Sequence, residues 1–469
     1  MLKAAREQLE ILGGKLFNPE EGVKFQGTEL ILPAGTTAQQ GILALESYIE
    51  EQGMKVSFNR VYNYRPWDVA YNAMLAMKRN SGMVSHRGTF LSPPQLIDVQ
   101  VGLDQTVQVP WGVLQVPSLP NVKFQIGSTR DPDYGIVGTV QAAGPKRDSW
   151  AIQGMFDQIE DQLRETSIYR GKAIDGQEMP NFIDVEGLDE NRIVYSAEVM
   201  QALRAHLFTP LAQRQQFVDA GLGLKRAILL HGEYGTGKTL ALMLAGKIAT
   251  TAQDPWTFIL VRPGRDSIED AMQTARIYSP TLVAFEDVDT VANAEQESTR
   301  ISQMLDLFDG MDAKTQDVMV VLTTNHVEAI HKGMLRPGRL DHVLKIGAPD
   351  TAGVTKMMQV NSKTGVLADE IDWDAVGQAV DGYLPSFIVR TAQVAAEYLL
   401  ARRLAGETDR DQIETEDLIG AAFSLRHQWE LHQDANTGHE EPELDRAVKH
   451  LVQLAIENKL DDRLLVDQD

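Results

Sequence analysis

The sequence has 469 residues, 43% of them hydrophobic and 23% charged, and these are ordinary values for a globular protein of two or three domains. Lys and Arg number 44 against 66 Asp and Glu, and the net charge of −22 disfavours sequence-independent binding to nucleic acid. The absence of cysteine excludes disulfides and thiolate metal sites, and no apolar run approaches the length of a membrane span, so we expect a cytoplasmic protein.

Residues 1–147 are predicted to form a β-rich N-terminal domain. The segment 66–80 has Pro66 at its start and is typical of a helix. The other segments have the composition of strands and are separated by Gly, Pro and Asp; they are 27–33, 55–64, 95–102, 106–116, 121–127 and 134–142. We find no catalytic motif in this domain, which makes it a candidate for binding a partner.

Residues 148–180 are predicted to form a connecting helix followed by a linker. Apolar residues recur at helical spacing in the first part of this segment; they are Ile152, Met155, Phe156, Ile159 and Leu163. The stretch "GKAIDGQEMPN" (171–181) contains the Gly, Pro and polar residues that are typical of a linker.

Between residues 181 and 349, short apolar runs alternate with helical stretches. The runs are apolar at successive positions, as in parallel strands covered on both faces; they are 227–232, 257–263, 281–286, 318–325 and 342–349. The alternation predicts an α/β fold with a doubly wound parallel sheet. Residues 350–430 predict a helical subdomain, and residues 431–469 predict an acidic C-terminal helix or tail.

The stretch "HGEYGTGKTL" (231–240) fits the pattern G-x-x-x-x-G-K-[ST] of a phosphate-binding loop. The glycines let backbone N–H groups face phosphate oxygens, Lys238 can reach the β- and γ-phosphates, and Thr239 can bind Mg²⁺. A glycine-rich turn that matches by chance is the alternative, but a strand precedes this loop and a helix follows it, as phosphate binding requires. The predicted ATP-binding residues are Gly232, Glu233, Tyr234, Gly235, Thr236, Gly237, Lys238, Thr239 and Leu240.

Two acids end a later strand, in "VAFEDVDT" (283–290). In a P-loop ATPase one such carboxylate holds Mg²⁺ and the next orients the attacking water. The usual order is Asp then Glu, whereas this sequence has Glu286 then Asp287. We assign Glu286, with Thr239, to Mg²⁺ and Asp287 to water activation, with the two roles open to sharing. A surface cluster of acids is the alternative.

These motifs resemble the AAA clade of the AAA+ ATPases over about residues 180–430. The stretches "RISQMLDLFDGMD" (300–312), "TTN" (323–325) and "LRPGRLD" (335–341) follow in the order of that clade's second region of homology. The sequences "FEDVD" and "TTNH" are most similar to the subgroup that contains the mitochondrial translocase of the Rieske protein, which also places Glu before Asp. The resemblance implies an AAA+ sheet with a C-terminal helical lid, and ATP and Mg²⁺ as ligands.

The resemblance also implies roles for single residues. Asn325 matches sensor 1, which positions water against the γ-phosphate. Arg336 and Arg339 match the arginine fingers that reach the neighbouring subunit's site, and these imply a homo-oligomeric ring, usually a hexamer. A surface turn with two solvated arginines is the alternative. "GYLPSF" (382–387) falls where the family has the turn that opens a lid helix, with Pro385 and Ser386 in place of Gly and Ala.

The interval 262–280 is short and has no aromatic pore-loop triplet, which argues against an ATPase that threads extended polypeptide. Arg262 and Arg265 either take the axial position of a ring or are ordinary loop residues. The sequence therefore predicts a ring-forming ATPase that remodels or moves a protein held by the N-terminal domain. A nucleic-acid motor or loader, which DNA-stimulated ATPase activity would favour, and a nucleotide-gated scaffold with slow turnover are the alternatives.

Overall fold

The computed structural model describes residues 55–81, 95–190, 193–262, 264–288, 317–327, 339–363 and 365–437, with the short pieces 24–26, 29–31, 37, 39, 41–42, 308 and 330. The chain divides into two compact units. The first unit comprises Met1–Asp184, Trp256–Ile259 and Asp266–Thr281. The second unit comprises Val185–Pro255, Leu260–Arg265 and Leu282–Asp469.

The strands of the described residues agree closely with the apolar and alternating runs of the sequence. They are β1 (Lys24–Gln26), β2 (Glu29–Ile31), β3 (Lys55–Tyr62), β4 (Gln95–Gly102), β5 (Gln105–Leu114), β6 (Lys123–Asp131), β7 (Gly135–Pro145), β8 (Ala173–Asp175), β9 (Arg226–His231), β10 (Thr257–Val261), β11 (Thr281–Phe285), β12 (Val318–Thr324) and β13 (His342–Lys345).

The helices include a π-helical turn at Arg204–Phe208, which continues one helix into the next. They are α1 (Pro66–Ser81), α2 (Ser149–Thr166), α3 (Ala197–Leu203), α4 (Thr209–Ala212), α5 (Arg214–Asp219), α6 (Lys238–Thr251), α7 (Ile268–Ile277), α8 (Thr351–Asn361), α9 (Trp373–Ala379), α10 (Pro385–Leu404) and α11 (Thr415–Thr437). None of the described helices is long and apolar enough to cross a membrane.

The first unit contains a five-stranded antiparallel sheet in the order β3-β7-β6-β5-β4. Helix α1 packs closely on β7, since a Cβ at Gly138 would lie 2.5 Å from the Cβ of Val69. Helix α2 is amphipathic, as its spacing predicted, and buries Ile152, Phe156 and Ile159. The β-rich character predicted for this region is confirmed.

Helix α7 belongs to the first unit although its sequence lies among the ATPase motifs. Arg65, fully buried ahead of α1, donates hydrogen bonds from Nη2 to the carbonyl of Asp270 (2.8 Å) and to Oγ1 of Thr274 (2.6 Å). The hydroxyl of buried Tyr278 donates to the carboxylate of Asp68 (3.0 Å). These bonds fasten α7 to the N-terminal region through groups that are buried and satisfied.

A six-stranded sheet has the order β13-β9-β12-β11-β10-β8, and β12 and β13 both run parallel to β9. This is the α/β arrangement predicted from the alternating runs. One expectation was wrong: the segment 171–181, read as a linker, contains β8, which forms an edge of this sheet. At three residues, β8 is too short for its hydrophobic periodicity to be read from the sequence.

The helices α8 to α11 follow the sheet and form a helical lid around a shared apolar core. Its largest buried side chains include Met358, Tyr383, Leu399 and Trp429, and Val194 from the segment before α3 is also part of this core. Helix α11 runs to Thr437, past the lid boundary predicted at residue 430. Of the C-terminal helix or tail predicted for 431–469, residues 438–469 lie outside the described residues.

Candidate nucleotide site

The P-loop, residues 232–239, joins the end of β9 to the start of α6. Its last glycine, Gly237, is the N-cap of α6 with φ of 99°, a left-handed conformation that glycine adopts without strain. The side chain of Lys238 is buried, and its Nζ donates to the carbonyls of Gly232 and Glu233, both at 2.8 Å. The loop therefore surrounds the ammonium group of Lys238. The N-terminus of α6, which follows the loop, favours the binding of an anion.

A cavity of about 400 Å³ opens over this loop. Its lining residues are Tyr234, Gly235, Gly237, Lys238, Thr239, Leu240, Met243, Asp287 and Asn325. Phosphate is bound by groups such as an ammonium, a helix N-terminus and a hydroxyl. Mg²⁺ is bound by a hydroxyl together with a carboxylate. The residues present thus fit a nucleotide with its metal ion.

Asp287 reaches this cavity from the end of β11, the strand beside β12. Its φ is 46°, a conformation that is uncommon outside glycine. Its backbone N–H donates to Oγ1 of Thr323 (2.8 Å), and that hydroxyl lies 3.4 Å from Oδ1 of the same aspartate. Buried Thr323 therefore fixes both the backbone and the carboxylate of Asp287. Asn325, two residues after Thr323, lines the same cavity.

Glu286 lies in a different environment from its neighbour. Its backbone N–H donates to the carbonyl of Val261 (2.9 Å), and its Oε2 lies 3.2 Å from Nε of Arg262. It does not belong to the described lining of the cavity, whereas Asp287 does. The structure thus separates the two predicted acids, and the assignment of Glu286 to Mg²⁺ stays a prediction.

The two predicted arginine fingers are placed differently with respect to the described residues. Arg336 lies outside them. Arg339 is half-buried in the turn before β13 and is absent from the described lining of this cavity. This position is compatible with a role at a neighbouring subunit, which stays a prediction.

The lid touches the P-loop directly. The backbone N–H of Ser386, at the start of α10, donates to the carbonyl of Gly235 (3.3 Å). Gly235 has φ of 81°, and a Cβ there would lie 2.4 Å from Oγ of Ser386, so this contact requires glycine. Arg390, further along α10, pairs with Glu397 of the same helix (2.8 Å).

Residues 228–348, which run from β9 through β13, match the model of the family described as "ATPase family associated with various cellular activities (AAA)". The chain contains an AAA+ ATPase domain. The predicted α/β AAA+ fold, with its helical lid and β-rich N-terminal region, is confirmed together with this assignment. The finer resemblance to the Rieske-translocase subgroup stays a prediction.

Three curated relatives show how far the similarity of this chain extends. It is 27% identical over 243 residues to the proteasome-activating nucleotidase of Methanocaldococcus jannaschii, aligning 48% of this chain and 54% of that protein. It is 25% identical over 339 residues to protein CdcH of Halobacterium salinarum, aligning 69% of this chain and 44% of that protein. It is 30% identical over 257 residues to the ATP-dependent zinc metalloprotease FtsH of Leuconostoc mesenteroides, aligning 51% of this chain and 35% of that protein. The chain spans about half the length of these relatives, or less.

Two features of the AAA+ site were missed in the sequence. Met243 lines the cavity four residues after Thr239, a helical spacing that could have indicated it. Tyr195, 42 positions before Gly237, donates a hydrogen bond to the P-loop, and no local pattern marks it.

Proposed function

We propose that this chain hydrolyses ATP in the cavity over the P-loop and uses the cycle to remodel or move a protein partner. The observation that carries the proposal is the convergence of four side chains on one cavity: Lys238, Thr239, Asp287 and Asn325. These groups come from three separate segments, and each has the chemistry that phosphoryl transfer needs at that place.

Each residue has a distinct part in the proposed reaction. Lys238 and the backbone N–H groups at the start of α6 bind the phosphates. Thr239 with a carboxylate would hold Mg²⁺, which when bound would supply positive charge against the phosphates. Asp287 accepts a hydrogen bond from the attacking water, and Asn325 orients that water. The hydrogen bonds that Thr323 accepts from the backbone N–H of Asp287 and donates to its carboxylate keep Asp287 in one position for this task.

The partner and the assembly are further parts of the proposal. The names of two relatives refer to activation of the proteasome and to proteolysis, and both activities concern protein substrates. This supports a protein as the partner. We assign partner binding to the N-terminal domain, residues 1–147, because no catalytic motif occupies it. A ring, hexameric by family resemblance, would place Arg336 and Arg339 at the neighbouring subunit's nucleotide.

One observation favours a second candidate, a nucleotide-gated scaffold with slow turnover. Glu286, the predicted metal ligand, is paired with Arg262. If this pair persists with nucleotide bound, the site has one acid fewer for catalysis. Such a protein would bind ATP and hydrolyse it slowly.

The test compares Lys238→Ala with the parent in two assays, steady-state ATP hydrolysis and equilibrium binding of a fluorescent ATP analogue. We expect Lys238→Ala to abolish turnover and weaken binding, because the phosphates lose their main counter-ion. Lys356→Ala removes an exposed lysine of α8 and should match the parent. Unchanged turnover in Lys238→Ala would refute the site. Tight binding by a parent without multiple turnovers would favour the scaffold.

A further inference from the structure

Tyr195 makes a hydrogen bond to the P-loop from outside the cavity. Its hydroxyl donates to the carbonyl of Gly237 at 2.8 Å. Its ring packs against the same residue, since a Cβ at Gly237 would lie 3.4 Å from Cε1 of the tyrosine. Burial raises the pKa of Tyr195, so the phenol keeps its proton and stays a donor.

The hydrogen bond from Tyr195 is made to the peptide at which the P-loop ends and α6 begins. Gly237 has no side chain with which to cap α6, and its carbonyl accepts an intrahelical hydrogen bond from the N–H of Ala241 (3.0 Å). The hydroxyl of Tyr195 adds a second. The plane of this peptide sets the direction of the following N–H groups, which are the ones that bind phosphate in the proposed site.

The residue before Tyr195 belongs to the lid. Val194 is 7% exposed and is part of the lid's apolar core, where its Cγ1 lies 4.0 Å from a Cβ built at Gly353 of α8. The residue after it, Ser196, caps α3 by accepting a hydrogen bond from the N–H of Val199. Three consecutive residues are thus fixed to the lid, to the P-loop and to a helix start.

We propose that Tyr195 is a positioning residue of the nucleotide site, and that the pair Val194–Tyr195 couples the position of the lid to the conformation of the P-loop. This inference rests on the proposed nucleotide binding. A displacement of the lid pulls on Val194, and because the next side chain is bonded to Gly237, the P-loop amides turn with it. Ser386, bonded to Gly235, makes a second contact between lid and loop.

The first experiment removes the hydroxyl and keeps the ring. Tyr195→Phe should weaken the binding of ADP and ATP to similar extents, between about two- and tenfold for one hydrogen bond, as measured with fluorescent analogues. At saturating ATP the turnover number should stay close to that of the parent, because Tyr195 does not touch the reacting atoms. Tyr62→Phe is the matched control: its hydroxyl donates to the carbonyl of Phe156 (3.1 Å) in the first unit, and its loss should leave nucleotide binding unchanged.

The second experiment tests the coupling with a double-mutant cycle. Val194→Ala should weaken nucleotide binding in the parent and have little further effect in Tyr195→Phe, because both changes break the same connection. Val394→Ala removes a valine of similar burial, 6% exposed, from the same lid core. Val394→Ala should change the nucleotide affinity by the same factor in the parent and in Tyr195→Phe.

Three outcomes separate the possibilities. Parent-like nucleotide affinity in Tyr195→Phe overturns the inference and leaves the proposed function standing. Additive effects of Val194→Ala and Tyr195→Phe overturn the coupling. A parent that binds no nucleotide overturns the proposed function itself. All affinities are measured below the melting temperature of every variant, so a loss of folded protein is not read as weaker binding.

Discussion

The pair formed by Arg262 and Glu286 gives a direct test of the assignment of Glu286 to Mg²⁺. If Glu286 binds the metal, it must leave the guanidinium of Arg262, now 3.2 Å away, and the loss of that contact opposes metal binding. Arg262→Ala removes the competitor. The Mg²⁺ concentration that gives half-maximal ATPase activity should therefore fall.

The size of this effect follows from the exposure of the pair. The side chain of Arg262 is 45% exposed and that of Glu286 is 18% exposed, so solvent screens much of their attraction. Pairs with such exposure contribute about 0.2–1 kcal/mol. The Mg²⁺ midpoint should thus fall by about 1.4- to 5-fold, and a larger shift would need another cause.

The assay is a Mg²⁺ titration of ATP hydrolysis at fixed ATP. Arg265→Ala removes the same charge from the same loop and should leave the midpoint at the parental value. Glu286→Gln should raise the midpoint, and adding Arg262→Ala to it should have no further effect. A parental midpoint in both Arg262→Ala and Glu286→Gln would refute the assignment and leave Asp287 as the carboxylate at the metal.

Three further predictions concern catalysis, assembly and pH. Asp287→Asn should retain ATP binding and slow hydrolysis by about 10²- to 10⁴-fold, the usual contribution of a positioned base; near-parental turnover would contradict its role. Arg339→Ala and Lys238→Ala subunits should each be inactive, and their mixture should regain part of the activity once mass measurement shows mixed rings; an arginine that acts in its own subunit predicts no recovery. Burial raises the pKa of Asp68 from its ordinary 3.8 to about 6. The folded state thus binds more protons between these values, and its stability falls by about 3 kcal/mol as pH rises through them, at 1.36 kcal/mol per pH unit. Asp68→Asn should remove this dependence of stability on pH. If the unfolding free energies of the parent and of Asp68→Asn change in parallel across this pH range, the titration of Asp68 is not the cause of the dependence.

The parts of the site that could be predicted from the sequence depend on local patterns. The P-loop needs a strand, a glycine turn and a helix in succession, and all three are contiguous in the chain. Asn325 and Asp287 each follow an apolar run that reads as a strand, and parallel strands bring their carboxyl ends to one edge. Their convergence on one cavity follows from that rule.

The remaining contacts depend on which segments become neighbours in space. Arg262 and Glu286 are the first residues after β10 and β11, and only the strand order, which places these strands side by side, brings them together. Tyr195 meets Gly237 across 42 positions because the segment before α3 is fixed at both ends. Propensity and periodicity carry no information on such pairs.

The membership of α7 in the first unit affects how this protein can be divided. The first unit is built from three stretches of chain, so no single cut in the sequence separates it from the second. A chain that begins near residue 175 keeps α7 but loses Arg65 and Asp68, and it leaves the hydroxyl of Tyr278 without the two groups to which it is hydrogen-bonded. A chimera that carries a foreign N-terminal domain therefore needs a matching α7 face grafted with it. In natural relatives, we expect the residues on the two sides of this contact to change together.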